Sequence, residues 1–149
     1  MEKSSTAIKN ATCYRVIYGD TDQMGVVYYA NYLRWFERGR SEFLRQIGCP
    51  YPQIEGKGYH FPVTEVSCRY FKSVRYDDVI TIETQLTAVG RATLHFDYAI
   101  LREGDGSALA VGSTKHACID ASGRIGRIPG ELAQRLSTAL ATPTTPKNE

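Results

Sequence analysis

One long helical repeat limits what this chain can become. From Ala30 to Ile47, apolar side chains fall at Tyr32, Phe36, Phe43 and Ile47, and Leu33, Trp35 and Leu44 widen the stripe. Spacings of three and four residues mean helix. Gly48 and Pro50 end it. Gly39 interrupts the stripe, and an interior glycine costs a helix roughly 1 kcal/mol against alanine. Close approach of another backbone is therefore expected there. Arg38 and Glu42 are spaced for an i,i+4 pair on the outer face. A helix apolar around so much of its circumference needs a large cover.

The rest of the chain supplies that cover. Ala11 to Tyr18 alternates as a strand, with Tyr14, Val16 and Tyr18 on one face and Cys13, Arg15 and Ile17 on the other. Tyr51 to Gly58 holds one short turn, and Phe61 to Phe71 reads as the second strand. Val79 to Val89 is the clearest strand: Ile80, Ile82, Leu86 and Ala88 share one side, and Thr81, Glu83, Gln85 and Thr87 the other. Leu94, Phe96, Tyr98 and Ile100 then alternate with His95, Asp97 and Ala99. Glu103-Gly104-Asp105-Gly106 is a hairpin turn, since Asp-Gly reaches positive φ cheaply. Ala108 to Asp120 returns as a strand, and Pro129 to Leu136 suits a short closing helix. Residues 1–10 are expected to form a flexible arm, 11–136 a single domain, and 137–149 a disordered Thr- and Pro-rich tail. The expected class is α+β: one long central helix wrapped by a curved antiparallel sheet of about five strands.

Composition narrows the function. A formal net charge of +2 with no long basic run argues against bulk nucleic-acid binding. No uncharged run of about 18 residues exists, so no membrane span is expected. Residues 1–10 are polar and lack the apolar core of a secretory leader. Cys13, Cys49, Cys68 and Cys118 are far apart and read as reduced thiols of a cytoplasmic protein. Neither His95 with Asp97 nor His116 with Cys118 has the spacing of a zinc site. No nucleotide-cradling glycine motif occurs.

The segment Tyr18 to Tyr32 carries the chemistry. A strand stops at Asp20, a glycine turn follows, and the helix begins near Ala30. Asp22 therefore stands just before a helix N-terminus, where free N–H groups can hold a developing oxyanion. A carboxylate there suits acyl transfer. It can attack a carbonyl to give an acyl-aspartyl anhydride, or orient and deprotonate water. A turn or capping aspartate is the plainer alternative, and for Asp20 a turn or supporting role is preferred. His60, just before Phe61-Pro62, is a lesser candidate acid/base. Tyr28, Tyr29, Tyr32 and Trp35 either line an aryl pocket or fill the core, and core is the preferred reading.

The order Asp20-x-Asp22-x-x-Gly25-x-Val27-Tyr28-x-x-Asn31-Tyr32 resembles the signature of hotdog-fold acyl-CoA thioesterases of the 4-hydroxybenzoyl-CoA thioesterase and YbgC type. Phe61-Pro62-Val63, Tyr76-Asp77-Asp78 and Gly90-Arg91-Ala92-Thr93 extend the likeness over roughly Ala11 to Leu136. The resemblance implies a hotdog fold and hydrolysis of acyl-CoA to a carboxylic acid and coenzyme A. Asp22 would be catalytic, and the Tyr29 backbone N–H would polarise the thioester carbonyl. Asn31 would fix the loop or cap the helix, and Arg91 and Thr93 would meet coenzyme A phosphates. No metal and no separate cofactor is implied, since coenzyme A is part of the substrate. The family also implies a homodimer joined sheet edge to sheet edge, often paired into a homotetramer, with Asp22 near the partner's strands. One position departs: much of the YbgC branch has histidine where this chain has Tyr29. A non-catalytic acyl-CoA sensor and a hotdog dehydratase or hydratase are the alternatives, and the second lacks its expected helix histidine.

Overall fold

Alternating apolar side chains and one amphipathic helix close on each other in the computed structural model, which describes residues 7–141. The elements run β1 (Lys9–Arg15), a single 3-10 turn (Tyr18–Asp20), α1 (Asn31–Gln46), α2 (Tyr51–Gly56), β2 (Val63–Tyr70), β3 (Val79–Val89), β4 (Thr93–Arg102), β5 (Ala108–Ala117) and α3 (Gly130–Thr138). The five strands form one antiparallel sheet in the order β1-β3-β4-β5-β2. This is the wrapped-helix α+β arrangement expected from the sequence. The domain edges shift slightly. Lys9 and Asn10, expected in the arm, already belong to β1. Ser137 and Thr138, expected in the tail, finish α3, and Ala139 is buried. Residues 1–6 and 142–149 of the two expected flexible segments lie outside the described residues.

The core is where α1 meets the sheet. Tyr32, Trp35, Phe36, Phe43 and Leu44 of α1 are buried against Ile80, Ile82 and Leu86 of β3 and Leu94, Phe96, Tyr98 and Ile100 of β4. Each such large side chain contributes about 1.5–3 kcal/mol on burial. Phe36 stacks on Tyr98 with ring centres 4.3 Å apart. Gly39 is explained differently from the expectation. It faces side chains, not a backbone: a Cβ there would stand 2.8 Å from Ile82 Cγ2 and collide with Thr84 Oγ1. Helix α1 ends at Gly48, whose φ of 83° suits glycine. The Cys49 N–H then reaches the Leu44 carbonyl at 2.8 Å and the Gly48 N–H that of Arg45 at 3.1 Å, the paired bonds that close a Schellman terminus.

Three other expectations change. The pairing of β3 with β4 slips between Leu86 and Ala88, and this bulge turns Ala88 outward. Thr84 instead takes a fully buried place between Ile82 and Leu86. Arg38 lies over the Tyr14 ring at 5.0 Å, and Glu42 pairs with Arg45, so the expected Arg38–Glu42 pair is replaced by both. Strand β5 stops at Ala117, beyond which Ile119 makes isolated bridges to His60 and Ile125. At the sheet edge, β2 leaves Val63, Val66 and Tyr70 exposed.

The register gives the sheet two distinct ends. Arg15, Val79, Arg102, Ala110 and Tyr70 gather at one; Val89, Thr93, Ala117 and Val63 gather at the other. The eleven residues of β3 separate them by roughly 35 Å.

Candidate active site

The loop between β1 and α1 leaves the first of these ends and is held at nearly every step. The Val16 N–H donates to the Asp78 carbonyl, and the Val27 N–H to that of Val74 at 2.7 Å. Thr21 and Val27 bridge across the loop. Between them, the Asp22 N–H donates to Val26 O at 2.9 Å and the Gly25 N–H to Asp22 O at 3.0 Å. Arg75 Nη1 reaches Gly25 O at 3.3 Å.

Asp20 is the anchor of this loop. Its Oδ2 accepts from the Tyr14 hydroxyl at 2.7 Å and from the Ile17 N–H at 3.0 Å. Its carbonyl accepts from the Tyr28 N–H and from Asn31 Nδ2, both at 2.9 Å. Burial, then the bond to Asp20, pushes the Tyr14 hydroxyl pKa up. Asn31 therefore fixes the loop. It is the first helical residue, Ala30 takes the cap position, and no side chain caps the helix.

Asp22 is held differently. Its Oδ1 accepts from the Met24 N–H at 2.9 Å, while Oδ2 has no hydrogen-bond partner among the described residues. Seven and eight residues on, the backbone N–H groups of Tyr29 and Ala30 precede the first helical turn. Neither donates to any group among the described residues. A half-buried carboxylate oxygen and two free donors thus share one short loop. Tyr28 carries the Asp22 charge in its environment: contact with the Tyr29 hydroxyl raises its pKa, and Asp22 raises it further.

Aromatic rings wall this region. Tyr28 and Tyr29 lie 4.8 Å apart, Tyr32 and Tyr70 4.8 Å, and Tyr32 and Trp35 4.8 Å between ring centres. The Tyr70 hydroxyl donates to the Tyr29 carbonyl at 2.9 Å. Burial pushes the Tyr32 hydroxyl to about 12 and raises that of Tyr70 as well. A shallow cleft of about 300 Å³ runs between Tyr29 and Tyr32 on one side and Tyr70 to Ser73 on the other. Tyr32 and Trp35 are core, as expected, whereas Tyr29 is 62% exposed. Tyr70, Arg75 and Tyr14 escaped the sequence reading. The first two lie more than 40 residues from the loop they hold, and no local spacing marks them.

Arg91 and Thr93 are not brought here. Both are exposed in the β3–β4 turn at the far end of the sheet, where the Gly90 N–H donates to Thr93 O and Arg91 O accepts from the Ile128 N–H. His60 also sits at that end, with Nδ1 3.2 Å from Glu55 Oε2. Within one chain neither can reach Asp22. Lys115 pairs with Glu65, and Arg69 lies 5.8 Å from the Phe71 ring. Burial raises the Asp97 carboxyl pKa, but no nucleophile motif accompanies it.

His116 is 2% exposed. Burial lowers its pKa to about 4, so the ring is neutral. Its Nδ1–H must donate to the Phe61 carbonyl, at 2.9 Å. Nε2 then accepts from the Thr114 hydroxyl at 2.8 Å, and Thr114 in turn accepts from Tyr98 at 2.6 Å. Both ring nitrogens are committed inside the core.

Comparison with known proteins gives the family. Residues 16–136 match the model of the thioesterase-like superfamily. A putative esterase of Aquifex aeolicus is 37% identical over 82% of this chain and 93% of its own length. The acyl-CoA thioesterase YbgC of Haemophilus influenzae is 36% identical over 71% of this chain and 77% of its own. Among solved structures, the DHNA-CoA thioesterase of Staphylococcus aureus superposes with a TM-score of 0.82 at 28% identity, covering 87% of this chain and 89% of that one.

Proposed function

The chain belongs to the thioesterase-like superfamily and is an acyl-CoA thioester hydrolase with a hotdog fold; we propose that it works at the loop carrying Asp22. The observation that carries this reading is the pairing of an uncommitted Asp22 oxygen with uncommitted N–H groups at Tyr29 and Ala30. The thioester carbonyl oxygen accepts from the Tyr29 N–H, whose peptide plane is held by the Asn31 N–H on the Tyr28 carbonyl, and the Tyr70 hydroxyl on the Tyr29 carbonyl holds the next plane, which carries the Ala30 N–H. Charge growing on that oxygen meets a donor already in place. Asp22 Oδ2 then either attacks the carbonyl carbon or takes a proton from the water that does. In both routes the carbon–sulfur bond breaks, coenzyme A leaves as a thiolate and is protonated, and one water oxygen ends in the carboxylic acid. A thiolate is a good leaving group, so a strong general acid is not required.

The site is completed by a second copy. Strand β2 is a sheet edge with Val63, Val66 and Tyr70 exposed, and an open edge invites pairing. Antiparallel pairing of β2 with its own copy sets one chain's Val63 end beside the other's Tyr70 end. His60 and Phe61 of the second copy would then border the cleft at Tyr29. The β3–β4 turn lies about 10–15 Å from that edge, two to three strand spacings away. Arg91 and Thr93 of the second copy could thus meet the phosphates of coenzyme A. This reading makes the protein a homodimer, or a homotetramer of paired dimers, that needs no cofactor beyond its substrate. The four cysteines are free thiols, which suits a reducing cytoplasm, and no described helix is long and apolar enough to cross a membrane.

The test is a thiol-trapping assay across short, long and aromatic acyl-CoAs. Release of free coenzyme A from at least one class is expected. Tight binding of every acyl-CoA with release from none would contradict hydrolysis and favour a sensor.

A further inference from the structure

A second, more enclosed cavity of about 110 Å³ lies away from Asp22, between the C-terminal half of α1, α2, α3 and the inner face of β4 and β5. Leu44, Leu94 and Phe96 give it apolar walls, His116 lies at its floor, and Glu37 and Arg40 stand at its rim. Arg40 is half-buried, yet it forms no ion pair among the described residues. Its one polar contact is a long one, Nη1 to the Tyr98 hydroxyl at 3.5 Å. A guanidinium partly removed from water and lacking an acid is an anion site in waiting, and its fork of donors fits a carboxylate.

The floor decides which way a ligand faces. His116 has no free donor, because Nδ1–H is given to Phe61 and Nε2 accepts from Thr114. An anionic head therefore finds no donor at His116; Arg40 is the one cation of the lining, the Ser41 and Tyr51 hydroxyls are its neutral donors, and Leu44, Leu94 and Phe96 take an apolar tail. Size sets the tail. An apolar cavity of roughly 150 Å³ takes benzene. This one is smaller, so it suits a short alkyl chain of about four carbons better than a ring.

We propose that this cavity binds a small aliphatic carboxylate, with the carboxylate on Arg40 and the chain among Leu44, Leu94 and Phe96. The ligand is of the same chemical class as the acid an acyl-CoA hydrolase releases, but Asp22 of the same chain does not line the site, and binding there needs no turnover. Glu37 opposes it. Its exposed carboxylate lines the same rim, makes no ion pair with Arg40 and repels an incoming anion.

Titration calorimetry with n-butyrate, and n-butanol as the uncharged control, tests the site in the intact protein. The wild type is expected to bind butyrate and to bind butanol at least tenfold more weakly, as expected for a lost charged hydrogen bond. Arg40→Met should weaken butyrate about tenfold or more, with a thermal midpoint confirming that the variant is folded. Leu94→Phe, which fills the cavity, should abolish binding of both. Glu37→Gln should tighten butyrate. Asp22→Asn should leave its affinity unchanged, whereas an acid held at the active site would bind more tightly once the repelling carboxylate is gone. No binding of butyrate to the wild type, equal binding by wild type and Arg40→Met, or a gain confined to Asp22→Asn would each overturn the proposal.

Discussion

The two ends of the sheet hold the two halves of the proposed site, and they are built to different standards. At one end the Asp22 loop is tied through Asp20, Asn31, Arg75 and Tyr70 by hydrogen bonds of 2.7 to 3.3 Å. At the other, Arg91 and Thr93 project from a bare turn, with only backbone bonds around them. Bond making tolerates little misplacement, so its groups need fixed supports. A phosphate far from the reacting carbon can be held loosely by an exposed charge, since that binding is felt alike in ground and transition states. The contrast teaches that a rigid loop and a loose turn some 35 Å apart can serve one reaction, provided that two copies of the chain supply them.

Breaking the edge strand should separate the two ends most drastically. Val66→Arg places like charges across a self-paired β2, so the expected product is a folded monomer. With the cleft missing its far wall, kcat/KM should fall about a hundredfold. Sedimentation and turnover on one sample check this, and an active monomer would contradict the shared site. Next in size is Arg91→Ala. A rise in KM for acyl-CoA of about ten- to hundredfold is expected, with kcat nearly constant. The effect should vanish on short thioesters lacking the nucleotide and shrink at high salt. An equal loss on both substrate types would make Arg91 a support of the fold. Tyr70→Phe probes the rigid end. It removes the hydroxyl on the Tyr29 carbonyl and should lower kcat about two- to fivefold, the scale of one partly exposed hydrogen bond. An unchanged kcat would mean that the Tyr29–Ala30 peptide, and the Ala30 N–H it carries, needs no such fixing.

A smaller effect concerns stability. His116 has a folded pKa of about 4 against an ordinary 6.5, so below pH 6.5 the unfolded chain takes up the proton first. Stability from this group is complete above pH 6.5 and falls as the pH drops toward 4. Between pH 7 and pH 5 the wild type should lose about 2 kcal/mol that His116→Asn does not lose. Denaturant midpoints of both proteins at the two pH values measure it. Parallel losses would mean that the histidine is protonated, or accessible, in the fold.

Much of this was legible in the chain. The stripe from Tyr32 to Ile47 and the alternation of Val79–Val89 encode their own elements, because helix and strand periods are local. Asp20 could be read as a support because turn aspartates bind nearby backbone. What escaped was non-local. Ala88 turns out because β4 slips past it, and Gly39 is a glycine because Thr84 and Ile82 arrive from a strand more than 40 residues away. Tyr70 reaches Tyr29 across 41 positions. The proposed meeting of Asp22 with Arg91 would lie one level further off, between two copies, where the periodicity of a single chain has no say.

The central claim, that Asp22 carries the reaction while Asp20 holds the loop, is tested most directly by turnover of Asp22→Asn beside Asp20→Asn. Asparagine keeps the size of the side chain and removes its charge and basicity. Asp22→Asn should keep its thermal midpoint and bind acyl-CoA, yet lose at least about two orders of magnitude in kcat, or ~2.7 kcal/mol of barrier. Asp20→Asn should lose less activity but more stability, because its Oδ2 accepts two hydrogen bonds. Near wild-type kcat in Asp22→Asn, with deamidation excluded by mass, or a deeper loss in Asp20→Asn, would contradict the account.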